Sequence, residues 1–254
     1  MDRKNATVYR SATDPRRMPF GVDEAGKGPA LGSMFAAAVH VETDAALPEG
    51  IADSKRLAPA RRDELADTLR ADDRIGIGLA EITPAQIDDP ETDMNSLTVR
   101  AHAQAIESLS KENENKDENE NENKDENENE NEFSADPLTG LCDACDTDAD
   151  RFARRVTDAC TLELELDARH GADENSPIVG AASIVAKVAR DAHVETIADE
   201  FGSVGSGYPS DPTTREFLER YVDEHGELPP VARASWATCE DVLAAAEQTG
   251  LGQF

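Results

Sequence analysis

The sequence predicts a mixed α/β sheet that is followed by a helical C-terminal region. Strand-like apolar segments are frequent in the first part of the chain, and Leu162–Asp167 alternates apolar with acidic residues at period two. The later part is instead dominated by helical patterns, of which the alanine-rich stretch Ile178–Phe201 is the longest. Strands that come early and helices that come late are typical of this fold class.

The first part of the chain combines short strands with two helices. The predicted elements are a strand at Phe20–Asp23, a glycine-rich turn at 24–29, a strand at Ala30–Val41, a helix from Pro59 to Leu69, a strand at Ile75–Ile82 and a helix at Ser96–Leu109. Pro59 suits the first turn of its helix, because the amide that proline lacks would have no partner there.

Beyond residue 137 the sequence predicts two more strands and then only helices. The predicted elements are a strand at Leu138–Cys145, a helix through Phe152–Val156 with Asp148 as its cap, a strand at Leu162–Asp167, a helix at Ile178–Phe201 ended by Gly202, a helix from Asp211-Pro212 to about His225 with Gly226 behind it, and a helix at Cys239–Gln248. We expect a flexible N-terminus at 1–18, an α/β domain at 19–200 and a helical region at 201–254.

One segment, Lys111–Glu132, departs from this globular pattern. It contains no apolar residue, and its eight-residue unit KDENENEN occurs at 116–123 and again at 124–131. Such a tract cannot bury area to offset its chain entropy, and its like charges repel one another. We expect a disordered acidic insertion in a loop of the α/β domain, where added length costs little.

The charge balance excludes several classes of protein. The 254 residues carry 25 Lys and Arg against 54 Asp and Glu, and the net charge of −29 excludes a nucleic-acid binder of the usual basic kind. The longest uncharged run, 28–41, is shorter than the roughly 20 apolar residues of a membrane span. Without the apolar core of a signal peptide at its N-terminus, the chain is expected to be cytoplasmic.

Lysine is rare in this sequence. Outside the acidic tract, only Lys4, Lys27, Lys55 and Lys187 occur. An acid-rich, lysine-poor composition is expected of a protein from an extreme halophile, because in molar salt the Debye length falls to about 3 Å and acidic repulsion is screened. This composition therefore reflects habitat, and the net charge alone does not indicate a function.

The sequence suggests two further metal sites, of which zinc or redox chemistry at the C-x-x-C pair is the less favoured interpretation and the calcium loop is rejected. The C-x-x-C pair at Cys142–Cys145 has no second pair of cysteines or histidines to complete a zinc site, so free thiols are favoured. The spacing of Asp146, Asp148 and Asp150 suggests a calcium loop, but Arg151 stands where that loop requires glycine.

The most informative stretch lies at the end of the first strand. The strand ends in Asp23 and Glu24, and the chain turns at once through Gly26 and Gly28. Adjacent carboxylates at a sheet edge, followed by bare backbone that a ligand can approach closely, do not help folding. An acidic turn without function is the alternative interpretation of this stretch taken alone.

Other acids reduce the weight of that alternative. Asp143 lies among uncharged neighbours in a predicted strand, where an unpaired carboxylate costs several kcal/mol unless a cation or donor compensates it. Asp173 follows the next predicted strand. Taken singly, each of these acids could be an ordinary solvated side chain.

Six blocks of the sequence occur together and in a fixed order over about residues 19–240. They are DEAGKGP at 23–29, DSKRL at 53–57, Asp143, Asp173, AASIVAKVARD at 181–191 and GSGYPSD at 205–211. In this order they resemble the successive motifs of ribonuclease HII. The resemblance covers nearly the whole chain apart from the insertion.

The resemblance implies a ribonuclease H-like fold, with a mixed central sheet flanked by helices and a helical C-terminal region. It also implies an endonuclease that hydrolyses RNA in RNA/DNA hybrids and at ribonucleotides embedded in duplex DNA, leaving 5′-phosphate and 3′-hydroxyl ends. The family's catalytic acids match Asp23, Glu24, Asp143 and Asp173. Carboxylate oxygens suit Mg²⁺ or Mn²⁺, so we expect these acids to form a two-ion metal site.

The resemblance also implies substrate-binding residues. Gly26-Lys27-Gly28 matches the loop whose backbone contacts the ribose 2′-hydroxyl, and Tyr208 matches the tyrosine at the RNA-to-DNA junction. Lys55 and Lys187 match basic positions that we expect to hold phosphates. Family members more often have arginine at this position. Lys27 would keep the backbone contact but lacks the guanidinium fork of arginine. Packing of Tyr208 in its turn, and solvation of the lysines, are the alternatives.

Two alternative functions remain open at this point. A ribonuclease HIII-like enzyme shares the fold, but its additional N-terminal domain does not fit the short segment before Asp23. A non-catalytic hybrid-binding protein would gain nothing from acids beside phosphates. Ser183 and Arg190 lie in an apolar helical block, so we assign them no catalytic role.

The expected partners follow from the same resemblance. They are RNA/DNA hybrids and ribonucleotide-containing DNA, and no membrane. A replication clamp or another repair protein is a further candidate partner, which the sequence itself does not specify. We expect a monomer.

Overall fold

A mixed five-stranded sheet forms the centre of the molecule. The computed structural model describes residues 19–41, 44–51, 57–120 and 138–251. Within them the strands are β1 (Pro19–Ala25), β2 (Met34–Val41), β3 (Ile75–Ile82), β4 (Leu138–Asp143) and β5 (Leu164–Arg169), in the order β3-β2-β1-β4-β5. β1 pairs antiparallel with β2, and β2 with β3, whereas β1 with β4 and β4 with β5 are parallel. The predicted fold class is confirmed.

Helices cover both faces of the sheet and form the C-terminal region. They are α1 (Pro59–Ala71), α2 (Pro84–Ile87), α3 (Met94–Glu120), α4 (Ala149–Ala159), α5 (Ala172–Asn175), α6 (Pro177–Phe201), α7 (Pro212–His225) and α8 (Ala237–Leu251), with a short 3-10 turn at Asp44–Ala46. Among the helices that the structure describes, none combines the length and apolar character needed to cross a membrane.

The side chains of β2 show how the sheet separates two cores. Its even-numbered apolar residues, Met34, Ala36 and Ala38, pack into a core shared with α3 and α4. Three of its odd-numbered ones, Ala37, Val39 and Val41, pack into a second core with α1 and α6. Both faces are apolar because helices cover both, which explains why the strand reads as a continuous apolar run.

A glycine lets α6 lie directly on β1. A Cβ atom placed on Gly21 would be only 2.6 Å from the carbonyl carbon of Ile178, near the start of α6. A strand residue with any side chain would therefore push the helix away from the sheet. This close packing brings the middle of α6 over the end of β1, where Asp23 lies.

The C-terminal helices pack against the loop that joins β1 and β2. Leu31 of this loop is buried with Phe217 of α7 and Cys239 of α8. The Ala30 N–H donates to the Gly207 carbonyl oxygen at 2.7 Å, and the Gly32 N–H to that of Val231 at 2.8 Å. The helical region thus fixes the backbone immediately after the acids of β1.

Several element bounds differ from the prediction. β2 begins at Met34 and not at Ala30, because the preceding residues bond to the C-terminal region instead of the sheet. β5 lies two residues later than predicted, and the short helices α2 and α5 were not predicted.

The acidic tract also departs from its predicted boundary. Helix α3 continues to Glu120 where an end at Leu109 was predicted, since glutamate and lysine favour helix even without a buried face. Helix α3 therefore extends into the acidic tract, and the disordered insertion at 111–132 stays a prediction. The remainder of the tract, the N-terminal segment 1–18 and Lys55 lie outside the described residues.

Candidate active site

Two acids meet where parallel strands β1 and β4 end. Val22 of β1 lies beside Cys142 of β4, so Asp23 and Asp143 follow on neighbouring strands at the same edge. The carboxyl edge of parallel strands is where open α/β sheets bind ligands. The order and pairing of the strands therefore bring together residues that are 120 positions apart.

Side-chain alternation sends Asp23 and Glu24 to opposite faces of the sheet. Asp23 is only 4% exposed and lies on the α6 side, where Ser183 hydrogen-bonds to it and the Lys187 charge acts on it. Glu24 lies on the α3 side, where its Oε2 is 2.8 Å from Nε2 of the fully buried His102. The two neighbouring carboxylates are thus held by different helices.

Asp143 and Asp173 are connected through the start of α5. The Ala172 N–H donates to Oδ1 of Asp143 at 2.7 Å, and Asp173 is the next residue, 2% exposed. Gly171, at φ +66°, turns the chain sharply between β5 and α5. The short helix that sequence reasoning missed is therefore what places the fourth acid beside the third.

Burial governs the protonation of Asp23. Burial, together with the negative charge of Glu24, raises the pKa of Asp23 to about 8. The hydrogen bond from Ser183 and the charge of Lys187 act in the opposite direction but do not cancel the effect. At neutral pH Asp23 therefore holds a proton unless a cation replaces it.

The chemistry of this acidic edge fits a hard divalent cation. Carboxylate oxygens are the ligands that such ions prefer, and a cation would relieve the repulsion that raises the Asp23 pKa. Across the described residues, no three Asp, Glu, His or Cys side chains are already gathered around one point as a metal group. Glu24 is hydrogen-bonded to His102, and Asp143 accepts the Ala172 N–H. The carboxylates that could bind a metal are therefore present but hydrogen-bonded to other groups of the protein.

A cleft of about 430 Å³ opens beside the acids. Its lining residues include Glu24, the Gly26-Lys27-Gly28 loop, Lys187 and Tyr208. Gly26 has φ +87°, which favours glycine at this position. Tyr208 is 40% exposed. The structure therefore brings together the predicted binding residues that it describes, with Lys55 outside the described part.

Two residues that received no role from the sequence contact the predicted site. Ser183 is buried, as expected of core, but it also accepts a hydrogen bond from Lys187 Nζ and bonds to Asp23. Arg190 lines the cleft, with its Cζ 5.1 Å from the centre of the Tyr208 ring. Sequence reasoning placed both in an apolar block and missed their polar partners.

His102 and Arg233 were missed entirely. His102 lies on the apolar face of α3, and only its contact with Glu24 connects it to the predicted site. Arg233 is fully buried and donates to carbonyl oxygens of the glycine loop. One signal was readable for Arg233, since it stands in an apolar and proline-containing stretch with no acid beside it in sequence.

The structure shows the surroundings of the residues that were considered as zinc or calcium ligands. All four cysteines are free thiols. Asp146 forms an ion pair with Arg151, while the Asp148 side chain accepts the Arg151 N–H and caps α4. Two of the three aspartates with calcium-loop spacing therefore have partners within the protein.

Comparison with known proteins identifies the family. A family model described as Ribonuclease HII matches residues 20–239. The chain is 53% identical over 237 residues to a ribonuclease HII of Haloarcula marismortui, which covers 93% of this chain and 100% of that protein. The match therefore extends over the sheet, the acids and the helical region alike.

Solved structures support the same assignment. The ribonuclease H2 of Pyrococcus horikoshii OT3 is similar with a TM-score of 0.74 and 31% identity, over 91% of this chain and 99% of that one. RNase HII in a PCNA:RNase HII complex from Archaeoglobus fulgidus has a TM-score of 0.70 and 31% identity, over 86% and 95%. The ribonuclease H-like fold is confirmed, and the HIII-like and non-catalytic alternatives are not favoured. The chain belongs to the ribonuclease HII family and is a ribonuclease H endonuclease.

Proposed function

We propose that Asp23, Glu24, Asp143 and Asp173 are the catalytic acids and that they hold two divalent cations, Mg²⁺ or Mn²⁺. The observation that carries this proposal is the meeting of the acids at the carboxyl edge of β1 and β4, beside the cleft. When bound, such ions lower the pKa of an attacking water and stabilise the charge on the leaving 3′ oxygen.

The surrounding residues prepare the acids for that role. Metal ligands must be deprotonated, so Asp23 has to release the proton that burial and Glu24 retain on it. The hydrogen bond from Ser183 and the charge of Lys187 favour its ionised form. His102 and the Ala172 N–H hold Glu24 and Asp143 in fixed orientations. The protein thus supplies oriented carboxylates with the positive charge of Lys187 beside them.

Removal of metal tests this proposal. Protein dialysed against a chelator is expected to cleave an RNA/DNA hybrid at less than about one hundredth of its original rate, because the acids alone cannot stabilise the leaving oxygen. Added Mg²⁺ or Mn²⁺ should restore cleavage, which gel electrophoresis of a labelled hybrid measures. Full activity in the chelator would contradict the proposal.

We further propose that the enzyme cuts at single ribonucleotides embedded in duplex DNA as well as in hybrids. Discrimination of RNA from DNA requires contact with the 2′-hydroxyl, which both donates and accepts hydrogen bonds. The Gly26-Lys27-Gly28 loop lines the cleft beside Glu24 and offers peptide groups without bulky side chains at two of its three positions. Tyr208 lies next to this loop, since a Cβ atom on Gly28 would be 3.7 Å from Tyr208 Cε1.

Replacement of Tyr208 tests its proposed position at the junction. Tyr208→Ala is expected to lower kcat/KM on a duplex with one ribonucleotide by about 10-fold to 100-fold, because stacking of a base on an aromatic ring contributes about 1–3 kcal/mol. Tyr208→Phe keeps the ring and should retain most activity. If the tyrosine only packs its turn, Tyr208→Ala will lower the Tm and leave kcat/KM of the folded protein unchanged.

We also propose a cytoplasmic monomer that works in molar salt and binds the sliding clamp. The archaeal relative solved as a PCNA:RNase HII complex supports the clamp as partner, and the acidic composition supports the saline habitat. Size-exclusion chromatography in molar KCl, with and without PCNA from a halophilic archaeon, tests both statements. A single peak of monomer mass should shift when PCNA is added, and no shift would contradict the partner.

A further inference from the structure

The glycine loop is held from behind by one buried arginine. Arg233 donates from Nη2 to the Gly26 carbonyl oxygen at 2.6 Å, from Nη1 to that of Lys27 at 3.0 Å and from Nε to that of Gly32 at 2.9 Å. Its side chain is fully buried. All three guanidinium nitrogens are thus used to bind one loop.

The residues around Arg233 bind the same loop. The Trp236 indole N–H donates to the Gly28 carbonyl oxygen at 3.3 Å, and the Arg233 backbone N–H donates to that of Ala30 at 2.8 Å. Asp88 in turn accepts the N–H groups of residues 234 and 235, at 2.8 and 2.9 Å. We call residues 231–236 the clasp segment.

The clasp segment determines which way the loop peptides face. In a planar trans peptide the N–H points opposite to the C=O. Because the carbonyl groups of Gly26 and Lys27 point inward to Arg233, the N–H groups of Lys27 and Gly28 point outward. Both residues line the cleft, so two adjacent backbone donors face the place where substrate would lie.

The chemistry of arginine suits this arrangement. A buried guanidinium loses several kcal/mol of solvation, which the hydrogen bonds to three carbonyl oxygens offset. A planar fork can bond several carbonyl oxygens at fixed angles, which a lysine ammonium on a flexible stem cannot reproduce. A neutral side chain would bind fewer of them and leave the loop free to rotate its peptides.

We propose that Arg233 is the positioning residue that gives this enzyme its preference for a ribose 2′-hydroxyl, by holding the N–H groups of Lys27 and Gly28 toward the substrate. This proposal rests on the proposed contact between the glycine loop and the ribose. Arg233 itself lies behind the loop and touches no reacting atom.

The test measures binding preference in place of turnover. Fluorescence anisotropy in molar KCl with EDTA gives the Kd of two duplexes, one with a single ribonucleotide and one all-DNA. Wild type is expected to bind the first more tightly. Arg233→Gln is expected to reduce the ratio of the two Kd values by about tenfold, with the affinity for all-DNA within about twofold of wild type.

Two further variants make the result decisive. Arg220→Gln removes the same charge from an exposed position on α7 and should leave the ratio unchanged. Trp236→Phe removes the indole bond to Gly28 and keeps an aromatic ring beside Arg233, and its ratio should fall by about threefold. This variant decides the question if Arg233→Gln does not fold.

The outcomes distinguish failure of the role of Arg233 from failure of the proposed contact between the glycine loop and the ribose. An unchanged ratio in folded Arg233→Gln, or in Trp236→Phe if only that variant folds, would overturn the role of the clasp segment. A wild type that binds both duplexes equally would overturn the proposed loop contact, and the role of Arg233 with it.

Discussion

Asp143→Asn is expected to lower kcat on an RNA/DNA hybrid by at least about 1000-fold while the protein stays folded. Asparagine keeps an oxygen that can accept the Ala172 N–H, so the start of α5 remains in place. The substitution removes one negative charge from the acidic edge, on which the proposed binding of divalent cations depends. Single-turnover cleavage of a labelled hybrid in molar KCl with Mg²⁺ measures the loss.

The matched control for this variant is Asp158→Asn. Asp158 is an exposed aspartate near the end of α4, so its replacement removes the same charge without touching the acids. We expect wild-type kcat from this control. If Asp143→Asn retained more than about one tenth of the wild-type kcat, the proposed catalytic set would be wrong.

Asp23→Asn is expected to stabilise the metal-free protein, and more so at high pH. In the folded state burial and the Glu24 charge raise the pKa of Asp23 to about 8, from an ordinary value of 3.8. Between these two values the folded state holds a proton that the unfolded state has lost. The contribution of Asp23 to the free energy of unfolding therefore falls as pH rises and becomes constant above about pH 8. Asparagine does not titrate, and the variant escapes this loss.

Thermal unfolding in EDTA at pH 5 and pH 9 measures the effect. The gain in Tm over wild type should be small at pH 5 and on the order of 5 °C or more at pH 9. Asp146→Asn is a control of opposite sign, because the hydrogen bonds from Arg151 lower the pKa of Asp146 to about 2. That variant should lose the same Tm at both pH values, as its group is ionised at both. A loss of Tm at pH 9 in Asp23→Asn would contradict the buried-acid account.

Local sequence signals were sufficient for elements with clear ends. β3 has the predicted bounds, and α7 begins after the Asp211 cap and ends before Gly226, because caps and proline act within a few residues. The acids proposed as catalytic could be singled out because their motifs resemble a known family. The chemistry of adjacent carboxylates and glycines gave an independent reason to look at Asp23 and Glu24.

The supports of the site depend on contacts that no local pattern shows. His102 and Glu24 are 78 positions apart, and Arg233 and Gly26 are 207 apart. A histidine on an apolar helix face, or an arginine in an apolar stretch, has no periodic signature that names its partner. Strand order has the same difficulty, since only the fold places β4 beside β1.

The most direct test of the account is a cleavage assay in molar KCl with Mg²⁺ or Mn²⁺ on three duplexes. They are a DNA duplex with one ribonucleotide, an RNA/DNA hybrid and an all-DNA duplex. Wild-type protein and Asp143→Asn are assayed on each. We expect the wild-type protein to cut at the 5′ side of the ribonucleotide and within the hybrid but not the all-DNA duplex, and we expect no cutting by the variant. Folded wild-type protein that cuts neither ribonucleotide substrate, or a variant that cuts both, would contradict it.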